Sequence, residues 1–414
     1  MNKNYDIIYF TLFPWENAYS SVSLSFAKEF AKHNRIFYVN HPYSFKDFVN
    51  KRKEPIVKER KKDLLLNRMR YETVPGYSDR IIAAHPPMVA PINWMKDGMM
   101  YKQLLNYNNK VILKTIRKII KDYQLKDFIY LNCFNPYFAG TLPADYGQIL
   151  NIYQCIDDMT QEVYTARHGA RLEDIAIKNA DLTLVTSTEL WNIKSKVSKD
   201  THILNNAVDI SIYENALTKK FERPEEIKEV KTKIIGYMGN INEARINYGL
   251  LKKIAETHHD KTLLIVGPLN SNDYIEHGLD KMPNVIFTGG KNIRDLPPYV
   301  QNMDVALIPF HCNTLTKSIY PLKINEYLAV GRPVVATNFS EDIRSFSDHI
   351  YIAENETQFI KLIDQAINEN TPEKQQARLK VAESNTWSAR VKEFWTIVNK
   401  HLDQPQKAFN KEAV

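Results

Sequence analysis

Short, continuous apolar runs alternate along this chain with longer stretches whose apolar residues recur every three or four positions. YDIIYF (5–10) reads as a buried strand. Ala18–Lys32 follows, with Val22, Leu24, Phe26, Ala27 and Phe30 at the spacing of one helix face. RIFYVN (35–40), RIIAA (80–84), DFIYLN (127–132), QILNIYQC (148–155) and DLTLVTS (181–187) continue the strand series, and 98–123 is a long amphipathic stretch. After residue 232 the pattern repeats. Strands are expected at 233–239, 262–267, 284–289, 304–310, 333–337 and 349–353, with helices at 247–258, 321–330 and 356–369. Strand and helix in strict alternation imply a mainly parallel sheet with helices on both faces.

The chain has 414 residues, too many for one ordinary core, so two domains are expected. The polar stretch ENALTKKFERPEEIKEVK, with Pro224, suggests a linker over 212–232. The expected organisation is a doubly wound domain at 1–211, a second at 233–385, and a closing helix over 386–414 that returns to the first. Ligands of open parallel sheets bind beyond the carboxyl ends of the strands. Two such domains facing one another would put a cleft between those ends.

Charge changes this picture in one place. The net charge of +7 is concentrated in Lys46–Arg70, where Phe48, Ile56, Leu64, Leu65 and Leu66 are interspersed. Such a segment suits an anionic membrane surface, or equally a solvated helix face. No basic–aromatic stacking motif accompanies it, which argues against nucleic acid as a partner. No apolar run is long enough to span a bilayer. MNKNYDIIYF lacks the apolar core of a signal peptide. Cys133, Cys155 and Cys312 are few and far apart, which points to a reducing compartment and to no metal site. A cytoplasmic protein is expected, peripheral on the inner face of the membrane if the charged segment binds lipid.

Three constellations carry chemistry. In PLKINE (321–326), proline suits a helix start, and Lys323 and Glu326 share a face. A helix N-terminus and a lysine together favour a diphosphate, and a glutamate can accept both hydroxyls of a ribose. An intrahelical ion pair is the plain alternative. In GYMGNINEARINYGLL (236–251), Gly239 would let a ligand approach the backbone, and Arg245 could reach phosphate oxygens. In YQCIDDMTQE (153–162), a strand runs into Asp157 and Asp158, either of which could take a proton from an attacking hydroxyl. A cap, or a salt bridge to Arg167 or Arg171, is the alternative there. His41 and His85 follow predicted strands, His168, His311 and His349 have no obvious partners, and each reads as an ordinary core or surface residue.

DLTLVTSTEL with ILNNAVD (203–209), KMPNVIFTGGKNIRDLPPYVQNMDVALIPF, and PLKINEYLAVGRPVVAT together resemble the family-4-type glycosyltransferases with the GT-B fold. That resemblance implies two facing Rossmann-like domains, a nucleotide-sugar donor bound by the second, and no metal or other cofactor. Glu326 matches the second of the family's two spaced glutamates, which holds the donor ribose; Ser318 stands where the first would be. Asn240 stands at the position of the family's arginine and Arg245 at that of its lysine. The Pro-x-Lys-x-x-Glu form is similar to a branch concerned with bacterial polysaccharide and teichuronic-acid assembly, in which Lys323 would serve the donor phosphates. The donor site is thus expected at Gly239, Asn240, Arg245, Thr288, Ser318, Leu322, Lys323 and Glu326. TLFPWENAYSS replaces the family's glycine-rich acceptor loop, which makes Trp15 and Glu16 candidates for acceptor contacts. NTWSARVKEFWTIV (385–398) resembles the family's closing helix.

The expected function is transfer of a sugar from a nucleoside-diphosphate sugar to a glycan or lipid-linked hydroxyl in cell-surface polysaccharide synthesis. Inverting and retaining chemistry both remain open. Two other readings share the architecture: a sugar-nucleotide epimerase, and a non-catalytic nucleotide- or glycan-binding partner of another transferase.

Overall fold

A computed structural model of the chain describes residues 4–16, 21–77, 80–161, 163–269 and 271–403. They form two compact units. The first comprises residues up to Thr186, Leu190–Leu204 and the chain from Val391 onward; the second comprises Ser187–Glu189 and Asn205–Arg390.

The first unit is built on eight strands: β1 (Asp6–Thr11), β2 (Arg35–Val39), β3 (Arg70–Thr73), β4 (Ile81–His85), β5 (Phe128–Cys133), β6 (Gln148–Cys155), β7 (Leu182–Val185) and β8 (Thr201–Ile203). Their order is β3-β4-β2-β1-β5-β6-β7-β8. All neighbours are parallel except β3 and β4. The central strands are apolar on both faces, as β5 (FIYLNC, buried throughout) illustrates, because helices cover both sides. The pattern of apolar runs did not reveal β3 or β8. β3 (RYET) has no buried residue, and β8 has only three residues. The first helix spans Val22–Phe30, shorter than the periodicity implies; Ala18 lies outside the described residues.

The second unit has six parallel strands: β9 (Ile234–Met238), β10 (Thr262–Val266), β11 (Val285–Phe287), β12 (Val305–Ile308), β13 (Val334–Thr337) and β14 (Tyr351–Ala353), in the order β11-β10-β9-β12-β13-β14. The stretch 212–232 is not a free linker. Tyr213 and Ile227 are buried in this unit's core, and the Gln301 amide donates to the Ala216 and Lys219 carbonyls at 2.7 and 2.8 Å. Its polar composition reflects an outer face that reaches solvent while its few apolar residues point inward.

In both sheets the strand order reverses beside the first strand, at β1/β5 and at β9/β12. The connections there leave in opposite directions and open a crevice at the strands' carboxyl ends. The loops bearing Trp15 and Gly239 begin at these two places.

The closing helix, Trp387–Leu402, enters the first unit at Val391. There Phe394 lies edge-on to Phe30, with centroids 4.8 Å apart, and Trp395 stacks on Tyr5 at 5.9 Å. Removing a buried indole leaves a cavity that surrounding side chains fill only in part. Trp395→Ala is expected to destabilise the chain by about 3 kcal/mol in urea unfolding. A loss below about 1 kcal/mol would show that this contact does not hold the helix.

Candidate functional site

In the second unit the site begins where β9 ends. Gly239 has φ +143°, and Gly267, at the end of β10, has φ +159°. Gly239 N–H donates to the Val266 carbonyl at 2.8 Å, and Gly267 N–H to the Gly289 carbonyl at 3.1 Å. The ends of β9, β10 and β11 are thereby drawn together. A Cβ on Gly267 would fall 1.8 Å from the Gly239 carbonyl oxygen, and one on Gly239 would fall 1.9 Å from Lys323 Cε. Both positions therefore require glycine.

Lys323 fills the space left by Gly239. It lies on the helix Leu322–Leu328, which the Tyr327 hydroxyl fastens to the sheet by accepting the Met238 N–H at 2.8 Å. The Lys323 ammonium sits 5.9 Å from the Tyr237 ring centre and 5.8 Å from that of Phe310, a favourable field for a cation. Burial pushes the ammonium below its ordinary value; Glu326 opposes that shift and nearby Arg245 adds to it. Burial pushes the Glu326 carboxyl up to about 7, against the pull of Lys323 and the neighbouring Tyr213 hydroxyl. Lys323 thus lies between the influence of one carboxylate, Glu326, and one further cation, Arg245.

The helix contributes less than its sequence suggests. It has seven residues, with Pro321 at the N-cap rather than inside. The Leu322 and Ile324 amides are already bonded to the Tyr320 and Pro321 carbonyls, at 2.9 and 3.0 Å. Attraction for phosphate therefore rests on the two side-chain cations. Gly331 ends the turn in the left-handed region, with φ +67°.

The remaining donor candidates separate. Asn240 is exposed beside Gly239, and its carbonyl accepts from the Tyr237 hydroxyl at 3.1 Å. Thr288 follows β11, two strands from β9, and its hydroxyl donates to the Gly289 carbonyl at 3.0 Å. Ser318 is buried, its hydroxyl donating to the Leu315 carbonyl at 2.8 Å, so it offers no group to a sugar. Tyr213, Tyr237, Gly267 and Phe310 were not singled out by the sequence reading. Only Gly267 carries a readable signal, since it follows β10 as Gly239 follows β9.

In the first unit Asp157 and Asp158 follow β6. Asp158 is occupied as a turn cap. Its Oδ1 accepts from the Thr160 amide at 2.9 Å and hydroxyl at 2.7 Å, and its Oδ2 accepts from Gln161 at 3.1 Å. Neither arginine weighed as a salt-bridge partner is used that way. Arg167 donates to the Trp94 carbonyl at 2.5 Å, and Arg171 lies 3.7 Å from Asp97. Asp158 thus has a structural duty in the turn; Asp157 has an interaction of its own, and both stay candidates for base.

Glu16 is not an open acceptor contact. It pairs with the buried Arg60, which also meets Glu72 at 2.6 Å, and it accepts from Asn40 at 2.9 Å. His85 Nε2 is 2.7 Å from Glu72. Glu16, Glu72 and His85 have ligand atoms close enough to share an ion, but the Arg60 guanidinium already supplies the positive charge. Burial would raise the Glu72 carboxyl, yet Arg60 and His85 hold it below its ordinary value; burial and Arg60 push the His85 imidazole down, against the two glutamates. His85 is thus a member of an internal charge network rather than an isolated core residue. Trp15 N–H donates to Asn40 at 3.3 Å, fastening the loop to the same network.

Residues 232–369 match the model of a family described as glycosyl transferases group 1. The chain is 27% identical over 175 residues to the putative teichuronic acid biosynthesis glycosyltransferase TuaH of Bacillus subtilis (strain 168). That match covers 41% of this chain and 44% of the relative, so the chain spans less than half the length of this curated relative. Sucrose-phosphate synthase from Thermosynechococcus elongatus superposes with a TM-score of 0.66 at 12% identity, covering 96% of this chain and 99% of that one. An α,α-trehalose-phosphate synthase (UDP-forming) from Burkholderia vietnamiensis gives 0.69 at 8% identity, covering 97% and 100%. The family match over 232–369, the curated relative and the solved neighbours together support the resemblance to GT-B, family-4-like glycosyltransferases. The family match, 232–369, contains the whole Gly239–Arg245–Lys323–Glu326 constellation of this GT-B chain.

The two glycines of this GT-B site differ in what a methyl group would strike. At Gly239 it meets the movable end of Lys323; at Gly267 it meets backbone. Gly239→Ala is expected to cost about 1–3 kcal/mol and to displace Lys323. Gly267→Ala is expected to cost more and to lower the yield of folded protein. Equal losses in urea unfolding would contradict this geometry.

Proposed function

We propose that this chain transfers a glycosyl group from a nucleoside-diphosphate sugar to a hydroxyl of a glycan or lipid-linked acceptor, in the cytoplasm, during cell-surface polysaccharide synthesis. One observation carries the reading: Lys323, beyond the end of the central strand of a glycosyl transferases group 1 domain, has both Glu326 and Arg245 close to it. The curated relative's name, teichuronic acid biosynthesis glycosyltransferase, supports the polysaccharide part.

In the reaction, the acceptor oxygen forms a bond to the anomeric carbon and the bond to the diphosphate oxygen breaks. The bonding pair leaves with the nucleotide. Lys323 and Arg245 stabilise that developing charge where a water-exposed cation would be far weaker. These protein cations give the leaving group its counter-charge, so the proposed reaction proceeds without a metal ion. Ionised Glu326 accepts the ribose hydroxyls. The acceptor's proton goes to Asp157 if the reaction inverts, and to the leaving phosphate if it retains.

The raised Glu326 carboxyl gives the donor step a signed pH dependence. Its ordinary value is 4.5 and its value here is about 7, so the folded chain binds the extra proton and loses stability as pH rises across that window. Nucleotide binding runs the opposite way, because the ionised form is the acceptor of the ribose hydroxyls. Titration calorimetry with a panel of nucleoside diphosphates is expected to show affinity rising with pH up to about 7. Glu326→Gln flattens that rise, and Lys323→Ala weakens binding about tenfold or more, a loss of about 1.4 kcal/mol. Binding that survives Glu326→Ala and Lys323→Ala together would remove the donor site from this place.

Turnover separates the two aspartates. With a nucleotide sugar and a lipid-linked or glycan acceptor, in EDTA, Asp157→Asn is expected to lower kcat by about 100-fold or more while leaving donor affinity unchanged. Asp158→Asn keeps an oxygen for Thr160 and is expected to cost less than about tenfold. The reverse ranking would make Asp158 the base, and loss of all turnover in EDTA would refute a metal-free mechanism.

A further inference from the structure

The most exposed large apolar side chains of the first unit lie outside the charged segment. Met99 is 79% exposed, Trp94 67% and Met100 66%. All three lie where the loop after β4 enters the helix Met99–Tyr123. Single exposed apolar residues are ordinary, but three large ones within seven positions form a patch that water covers at a cost.

The loop is held in place while these side chains point outward. Arg167 donates to the Trp94 carbonyl at 2.5 Å, His168 to the Met95 carbonyl at 2.9 Å, and the Trp94 indole N–H to the Pro91 carbonyl at 3.0 Å. The Tyr101 ring stacks on His168 with centroids 4.1 Å apart. The backbone is thus fixed from within, and the exposure of Trp94, Met99 and Met100 is a property of the fold.

The helix continues the patch with one sign of charge. Its 25 residues carry six basic side chains and one acidic, Asp122. Arg117 and Lys118 are paired with Asp145 and Asp122. Lys102, Lys110 and Lys114 are exposed, and Met99, Tyr107, Lys110 and Lys114 fall on one side at helical spacing. Tyr107 is itself exposed. An apolar tip followed by lysines on long aliphatic stems is suited to the boundary between acyl chains and anionic headgroups.

The Lys46–Arg70 segment also exposes Val49, Leu65 and Leu66, but part of it is turned inward. Arg60 is buried between Glu16 and Glu72, and Arg70 pairs with Glu59. Val57 and Leu64 are used in packing against Met88.

We propose that Trp94, Met99 and Met100, with Tyr107, Lys102 and Lys110, dock the first unit on an anionic lipid bilayer. The apolar side chains enter the headgroup boundary, and the lysines bind the lipid phosphates. The loop's anchors, Arg167 and His168, follow Asp157 and Asp158 in the same connection, so docking would bring a lipid surface to the segment bearing the candidate base. Docking itself does not depend on the transfer reaction.

The test is co-sedimentation of the full chain with phosphatidylcholine vesicles, with and without phosphatidylglycerol, read together with tryptophan emission. The full chain is expected to partition onto the anionic vesicles only, with a blue shift that Trp94→Phe removes. Trp94→Ser/Met99→Ser/Met100→Ser, and separately Lys102→Glu/Lys110→Glu, should each weaken partitioning at least about tenfold. Thermal stability and nucleoside-diphosphate binding should stay unchanged in both. Equal binding to the two vesicle types, or undiminished binding by the serine variant, would overturn the proposal. So would a dimer in lipid-free solution that the serine variant abolishes, which would assign the face to a second copy of the chain.

Discussion

The candidate site of the second unit depends on one close approach: the Lys323 side chain lies where a Cβ on residue 239 would have to be. Glycine at 239 frees the space, and glycine at 267 lets the next strand's backbone come up against the Gly239 carbonyl. The ammonium then rests over Tyr237 and Phe310, close to Glu326 and Arg245. Burial lowers the lysine and raises the glutamate, and each opposes the other's shift, so neither keeps its solution behaviour.

The first unit solves a different electrostatic problem. Its loop after β1 is tied down by charge: Arg60, carried on a helix of the basic segment, holds Glu16 and Glu72. A buried arginine is tolerated because two carboxylates surround it; taking away either partner would leave charge uncompensated inside the protein. The described start of that loop, up to Glu16, is therefore anchored at the switch point of the sheet, and Trp15 with it. The basic segment thus spends part of its charge internally through Arg60, while most of its lysines stay exposed.

Asp157 and Asp158 show how neighbouring residues of one type divide between roles. Both leave β6 at its carboxyl end, yet Asp158 is turned back onto Thr160 and Gln161. Local backbone geometry makes that choice, since an aspartate can cap the turn that follows it. The same connection runs on to Arg167 and His168, which fix the Trp94 loop, so the candidate base and the apolar patch are mechanically joined.

Sequence alone determined the two doubly wound units and the Lys323–Glu326 and Gly239–Arg245 pairs. Apolar runs and helical spacing are local properties, and buried parallel strands display them plainly. It did not determine where the units divide, because Tyr213 and Ile227 are too few to mark 212–232 as core. It could not assign β3 or β8, whose place comes from their neighbours rather than from their own residues. Tertiary structure also decided which groups are available. Ser318 and Asp158 are consumed by short-range hydrogen bonds, Glu16 by a distant arginine, while Trp94 and Met99 are left outside. The physical reason is the same throughout: residue type sets what a side chain can do, and only the packing of distant segments sets which partner it meets first.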